Sequence, residues 1–362
     1  MIYRAIGLMS GSSLDGLDIV FAELHENGGK WTYEIGAAAC YPYSEEWAKR
    51  LSSATSLSAK DYLLLHSEYG EYIGRQVLKF IEDNSLQFQV ALIASHGHTS
   101  FHIPARKMTA QLGDGAAIAA VTQLPVVTDL RSLDLAFGGQ GAPIVPIGEK
   151  LLLPEYDYFL NLGGIANISM NAGNYIAFDI CPANRVLNML AQREGREYDD
   201  KGRLAAAGKL NQSLLDGLNS LDYYQQPYPK SLANEFGTDT VYPLIRASGS
   251  AVPDALHTYV EHIAMQVGNA IRSLPAKPGR SELLVTGGGA LNTYLVERIR
   301  VLLSDLDIEV VLPQKELIQY KEALIMALIG VLRWREETNV LSSVTGSARD
   351  SVGGAMWMGM ES

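Results

Sequence analysis

The sequence predicts an α/β protein of two similar domains, and three observations carry the prediction. A chain of 362 residues is long enough for about two buried cores. Strand-like and helix-like segments alternate along it. An opening of three strands followed by alternating helices and strands also occurs twice. In the first half, residues 3–9, 17–24 and 31–40 read as strands from their apolar runs, and helical periodicity follows at 45–52 and 59–84, the second starting at a Ser58 cap. Residues 90–95 read as a short buried strand, 114–122 as a helix and 125–128 as another strand. The second half opens with strands 158–162, 165–171 and 174–179, turning at Gly163-Gly164 and Ala172-Gly173, and a helix at 184–194. Helices 253–273, 292–304 and 315–337 and strands 282–286 and 308–312 complete it. The repeat is one of element order, not of residues. The expected domains are 1–132, completed by about 340–362, and 133–339.

Composition narrows the function classes. With 47% hydrophobic and 19% charged residues the chain reads as an ordinary soluble globular enzyme. A net charge of −11 leaves no cationic excess to neutralise a nucleic acid, so any anionic ligand needs a local site. Cys40 and Cys181 stand far apart and suggest no disulfide framework. No signal peptide is visible, and the longest nearly apolar helical run, 323–334, is shorter than the roughly 20 residues a bilayer needs. A cytoplasmic protein without a membrane partner is expected.

Residues 7–18, GLMSGSSLDGLD, look like a phosphate loop. Glycines let the backbone turn tightly near an anion, serines offer donors, and Asp15 or Asp18 suits a metal ion or a water. A strand, not a helix, follows, which separates the segment from a Walker loop; a plain hairpin turn is the competing reading. Two more glycine turns follow strands, at Gly163-Gly164 and at Gly287-Gly288-Gly289, the last expected at a helix N-terminus. Asp179 is expected at the end of its strand, where a rigidly held carboxylate suits a general base; its alternative, a helix cap, falls better to Asn184. A polar run brings Ser95, His96, His98, Thr99 and His102 together with Gln111, Asp114 and Arg131. It suits a hydroxylated or carboxylated ligand, with Arg131 the choice for a carboxylate. Zinc on the three histidines is disfavoured, since no CxxC or HExxH pattern accompanies them.

A duplicated α/β domain with a glycine loop at the first hairpin of each half is the plan of the actin, hexokinase and Hsp70 group, a ribonuclease H-like fold that holds a nucleotide between its domains. Within that group the chain resembles the anhydro-N-acetylmuramic acid kinase family. The resemblance rests on GLMSGSSLDGLD, ASHGHT, QLGDGAAIA, VVTDLRSLDLAFGGQGAPIVP, NLGGIANIS, FDICPAN, YPKSLANEF, VTGGGALN and VTGSARDSVGG, in family order. It implies a cytoplasmic, homodimeric kinase of cell-wall recycling that uses ATP, Mg²⁺ and water to convert 1,6-anhydro-N-acetylmuramic acid to the 6-phosphate. Gly11, Ser12, Ser13, Leu14, Asp15, Gly16, Leu17 and Asp18 match the ATP phosphate motif, and Gly287, Gly288 and Gly289 the turn near the nucleoside. Gly163 and Gly164 are the second-half counterpart of the first loop, and Asp179 matches the catalytic base. His96, Thr99, Gln111, Asp114, Arg131 and Asn184 are the expected sugar-binding residues, and Mg²⁺ is expected to ride on ATP, with Asp15 or Asp18 nearby.

Departures fall near Asp179. The family's Asp-Thr-Gly-Pro-Gly-Asn is here Asp179-Ile180-Cys181-Pro182-Ala183-Asn184, which puts side chains where backbone approach to the ligand is expected. Its Lys-Ser-Thr-Gly-Arg-Glu is here 230–235, KSLANE, without the arginine. Ser12 replaces the usual threonine. Two alternatives therefore stand beside the kinase reading: a kinase of a related sugar or sugar acid, and a non-catalytic ATP-binding sensor.

Overall fold

A computed structural model describes residues 1–11, 13–233, 235–275, 277 and 279–359, organised as two compact units. Unit one comprises Met1–Pro154 with Tyr320–Ser362, and unit two Glu155–Gln319. The boundaries thus fall at 154 and 320, away from the expected 132 and 340. The helix Pro146–Leu152 explains the difference: a Cβ on its Gly148 would stand 2.4 Å from Ile325, and its Glu149 pairs with Lys321 at 2.7 Å.

In unit one the strands are β1 (Ile2–Ser10), β2 (Gly16–Asn27), β3 (Lys30–Pro42), β4 (Leu92–Ile103), β5 (Met108–Leu112) and β6 (Val126–Thr128). Unit two holds β7 (Tyr158–Leu162), β8 (Ile165–Met170), β9 (Ile176–Pro182), β10 (Ser281–Thr286) and β11 (Ile308–Val311), and β12 (Ala355–Trp357) returns to unit one. Sheet one runs β12-β6-β4-β1-β2-β3, with β5 paired to β4; sheet two runs β11-β10-β7-β8-β9. The order β6-β4-β1-β2-β3 matches β11-β10-β7-β8-β9: an antiparallel meander whose first strand, β1 or β7, pairs in parallel with β4 or β10, which in turn pairs in parallel with β6 or β11. That duplicated order is the one the actin- and hexokinase-like reading requires.

Strand periodicity decides the packing of sheet one. Ile6 and Leu8 share a core with Ile19, Phe21, Tyr69, Ile73, Val77 and Phe80, the last four from the helix Ala59–Asp83. Gly7 points the other way, onto the helix Lys315–Trp334, whose Ala323, Ala327 and Gly330 recur at helical spacing. Unit two builds its core between sheet two and the helices Asn184–Gln192 and Val252–Ser273.

Four strands differ from expectation. β4 continues through the polar run to Ile103 and returns as β5, because Gly97, at φ +71°, lets the chain kink against Leu112 without ending the ladder. β9 extends to Pro182, so Asp179 lies inside the strand and not at its end; the register shift between Ala166/Cys181 and Asn167/Asp179 leaves Ile180 as the extra residue of a bulge. β12, three residues among turn-formers, pairs antiparallel with β6 and was not expected.

Candidate functional site

Two groups of residues emerge, one in each unit. In unit two, β7 and β10 are parallel neighbours with Asn161 opposite Thr286, so their glycine turns open at the same end of the sheet, where α/β ligands bind. A Cβ on Gly287 would stand 2.4 Å from Asn161 Oδ1, and one on Gly289 2.7 Å from the Leu162 side chain. The helix Thr293–Leu303 is capped by Asn292. A 3₁₀ turn, Gly288–Leu291, therefore takes in Gly288 and Gly289 and precedes the helix, so the glycines do not lie on the helix N-terminus where they were expected.

The turn Gly163-Gly164 is tied to the segment after Asp179. Ala183 N–H donates to Gly164 O at 2.8 Å and Asn184 N–H to Gly163 O at 3.0 Å. Asn184 is not the helix cap expected of it: the N-cap position is Ala183, and Asn184 Nδ2 donates to Leu162 O at 2.9 Å. Ile180, Cys181 and Ala183 are buried in the core of unit two. Side chains gained relative to the family thus fill core space, and do not project where a ligand's approach was expected.

Asp179 is held from several directions. Its Oδ2 accepts from Leu232 N–H at 2.9 Å, its own N–H donates to Lys230 O at 3.1 Å, and Tyr223 Oη donates to its carbonyl at 2.7 Å. Burial raises its pKa above the ordinary carboxylate value, with the Leu232 N–H opposing. A fixed carboxylate with raised basicity can take a proton. Of its supports, Lys230 and Leu232 lie in the YPKSLANEF segment; Tyr223 carried no sequence signal. Asn234 in that segment lies outside the described residues.

In unit one, Ser10 to Gly16 form the tip of the β1–β2 hairpin. Leu14 takes φ +59°, Ser13 Oγ donates to Asp15 at 2.7 Å, and a Cβ on Gly16 would meet Cys40 Sγ at 2.6 Å. Ser12 lies outside the described residues. Leu17 packs in the core, so only its backbone belongs with the loop. Asp18 bonds the Cys40 thiol, and burial pushes its pKa to about 6, with Asp15 and Glu322 adding to the rise. Its charge is therefore costly in the free protein. The ordinary value is 3.8, so the cost is absent below pH 3.8, grows as pH rises through that interval and is complete above pH 6, where it amounts to about 3 kcal/mol. Asp18→Asn should accordingly raise the melting temperature at pH 7.5 and leave it unchanged at pH 3.5. Equal shifts at both pH values would refute this.

The polar run of unit one is largely self-bonded. Arg131 Nε donates to His96 Nε2 at 2.8 Å and Nη1 to Gly141 O at 2.7 Å, so much of its fork is engaged in bracing the 137–143 loop. Asp134, missed in the sequence, holds the same loop through Gly141 N–H at 2.7 Å. Burial lowers His96 to about 3 and His98 to about 4, and both are neutral. His98 Nδ1 lies 3.0 Å from Ser10 Oγ and His102 Nδ1 3.1 Å from Thr109 Oγ1, so the three rings have separate partners. Gln111 and Thr99 pair across β4 and β5, 3.4 Å apart. Asp114 caps the helix Gly115–Thr122 through Ala116 N–H at 3.0 Å. Burial raises the pKa of Glu322, against the pull of Lys321 and Arg131. The only sequence signal for Glu322 was a Lys-Glu pair inside an apolar helix.

The anhydro-N-acetylmuramic acid kinase family model matches residues 3–359. The chain belongs to this family. The anhydro-N-acetylmuramic acid kinase of Sulfurovum sp. is 31% identical over 369 residues, covering 98% of this chain and 99% of that protein. Its counterpart from Rhodopseudomonas palustris is 34% identical over 328 residues, covering 85% and 86%. Among solved structures, component A of the (R)-2-hydroxyglutaryl-CoA dehydratase of Acidaminococcus fermentans aligns over 91% of this chain and 97% of that chain, at 15% identity and a TM-score of 0.47. Of the four orphaned buried polar atoms among the described residues of unit two, Tyr224 Oη, His262 Nε2, Arg185 Nε and Thr286 Oγ1, the last two matter most for this family member, because both lie beside glycine turns.

Proposed function

We propose that this chain is an ATP-dependent kinase that opens 1,6-anhydro-N-acetylmuramic acid and phosphorylates O6, giving N-acetylmuramic acid 6-phosphate and ADP. The observation that carries the chemistry is Asp179, a partly buried carboxylate fixed through Oδ2 by the Leu232 N–H. Asp179 takes a proton from water as the water attacks the anomeric carbon; the bridge C–O bond breaks and the released O6 attacks the γ-phosphorus. ATP supplies the phosphoryl group, and fixed donors lower the barrier by alignment and charge neutralisation. The residues present fit a nucleotide: Gly287 and Gly289 let their turn pack directly on Asn161 and Leu162 at the strand ends, and Thr286 Oγ1 and Arg185 Nε beside the glycine turns lack partners.

Gly11 to Asp18 in unit one is assigned to phosphate. Among the described residues no cluster of three His, Cys, Asp or Glu side chains is arranged to hold a metal. We therefore assign Mg²⁺ to the phosphates, with Asp18 the acidic side chain whose charge a cation would offset. His96, Thr99, Gln111 and Arg131 are assigned to the sugar, with Asp114 capping the helix beside them; Asn184 supports the Leu162 carbonyl within unit two. No described helix is long and apolar enough to cross a membrane. A cytoplasmic homodimer is the working assignment, and light scattering measures its assembly state.

Incubation with ATP, Mg²⁺ and the anhydro sugar should yield the 6-phosphate by mass spectrometry, with one ADP released per sugar. ADP release that is indifferent to the sugar, or no product at high enzyme concentration, would overturn the assignment.

A further inference from the structure

Arg185 follows Asn184 at the start of the helix Asn184–Gln192 and folds back over the second glycine turn. Its Cβ and Nε both lie 4.0 Å from where a side chain on Gly164 would begin. The backbone fixes this arrangement, because Ala183 and Asn184 N–H groups are bound to the carbonyls of Gly164 and Gly163. Those bonds also occupy the first amides of the helix, so they are not its anion-binding element.

What distinguishes Arg185 is that its Nε is buried and has no hydrogen-bond partner. Among the described residues no carboxylate forms an ion pair with its guanidinium. Other partly buried arginines are engaged: Arg298 pairs with Glu261, and Arg131 bonds His96 and Gly141 O. A guanidinium stays charged at any working pH and presents a planar fork suited to phosphate oxygens. Desolvating one of its N–H groups without a partner is unfavourable, and an oxyanion resting on the turn would reverse that.

We infer that Arg185 binds the phosphate chain of the nucleotide at the Gly163-Gly164 turn. The inference rests on the ATP-kinase reading and adds a cationic contact to a turn otherwise credited with backbone alone.

Calorimetric titration with Mg·ADP and with adenosine separates the possibilities. Arg185→Met should weaken Mg·ADP at least 20-fold, leave adenosine within twofold, and raise the KM for ATP without raising that for the sugar. Arg185→Lys should recover part of the ADP affinity, and it serves as the readout if the methionine variant does not fold. Unchanged ADP affinity in either folded variant overturns the inference. A rise confined to the sugar KM also overturns it, placing the cation on the sugar's carboxylate. Failure of the unaltered protein to bind ADP would instead overturn the kinase reading beneath it.

Discussion

Asp179→Asn should lower kcat by about 10³-fold and leave Mg·ADP affinity within twofold. The substitution is nearly isosteric, and an amide oxygen can still accept from Leu232 N–H, so the segment should stay in place. What it removes is the capacity to take a proton. Burial raises the pKa of Asp179, so the ascending limb of kcat/KM against pH should lie above the ordinary carboxylate range. The working form is the deprotonated one, so activity rises with pH through that limb and falls below it. Stopped turnover assays from pH 4 to 9, with calorimetry of ADP binding, test both parts. Retention of more than a tenth of kcat, or a limb that persists in Asp179→Asn, would remove Asp179 from the role of base.

The meander of each half was legible because its strands alternate or run apolar over five to ten residues between glycine turns, the strongest local signals a sequence offers. Asp179 stood out because few carboxylates sit beside an apolar strand. Its position inside β9 was not readable, since the Ile180 bulge exists only relative to β8. The 95–103 run looked like loop because its polar residues hid the ladder; the register with β5, fixed by Gly97 against Leu112, is a tertiary fact. Arg131 was read for its fork, but which donors remain depends on His96 and Gly141, neighbours only in the fold. Similarly, Cys181 and Ala183 suggested crowding near a ligand, whereas the end of β9 and the helix start after it bury both in the core. Sequence thus shows which residue types could carry chemistry, while the directions in which their side chains point are set by the fold.

Gly7→Ala should destabilise unit one by about 4 kcal/mol, because packing on that face of β1 leaves no room for a methyl group. The new Cβ would stand 1.9 Å from Ala323 O and 2.5 Å from Ala327 N, both backbone atoms of a helix in the interior. A flexible side chain could rotate away; a helix backbone has to translate. Ala94 on β4 constrains that movement, since a Cβ on Gly330 would already meet its methyl at 2.5 Å. Translation would also disturb the Lys321–Glu149 pair, held at 2.7 Å in a buried setting where lost geometry is costly. For a unit of this size the loss corresponds to a melting temperature lower by roughly 10 °C. Ala94→Gly removes the methyl facing Gly330 and gives the helix somewhere to go, so Gly7→Ala combined with Ala94→Gly should lose less than the sum of the two single changes. Calorimetric scans of the three variants test this. A Gly7→Ala shift below 2 °C, or strict additivity in the double variant, would show that the helix is not seated on β1 as described.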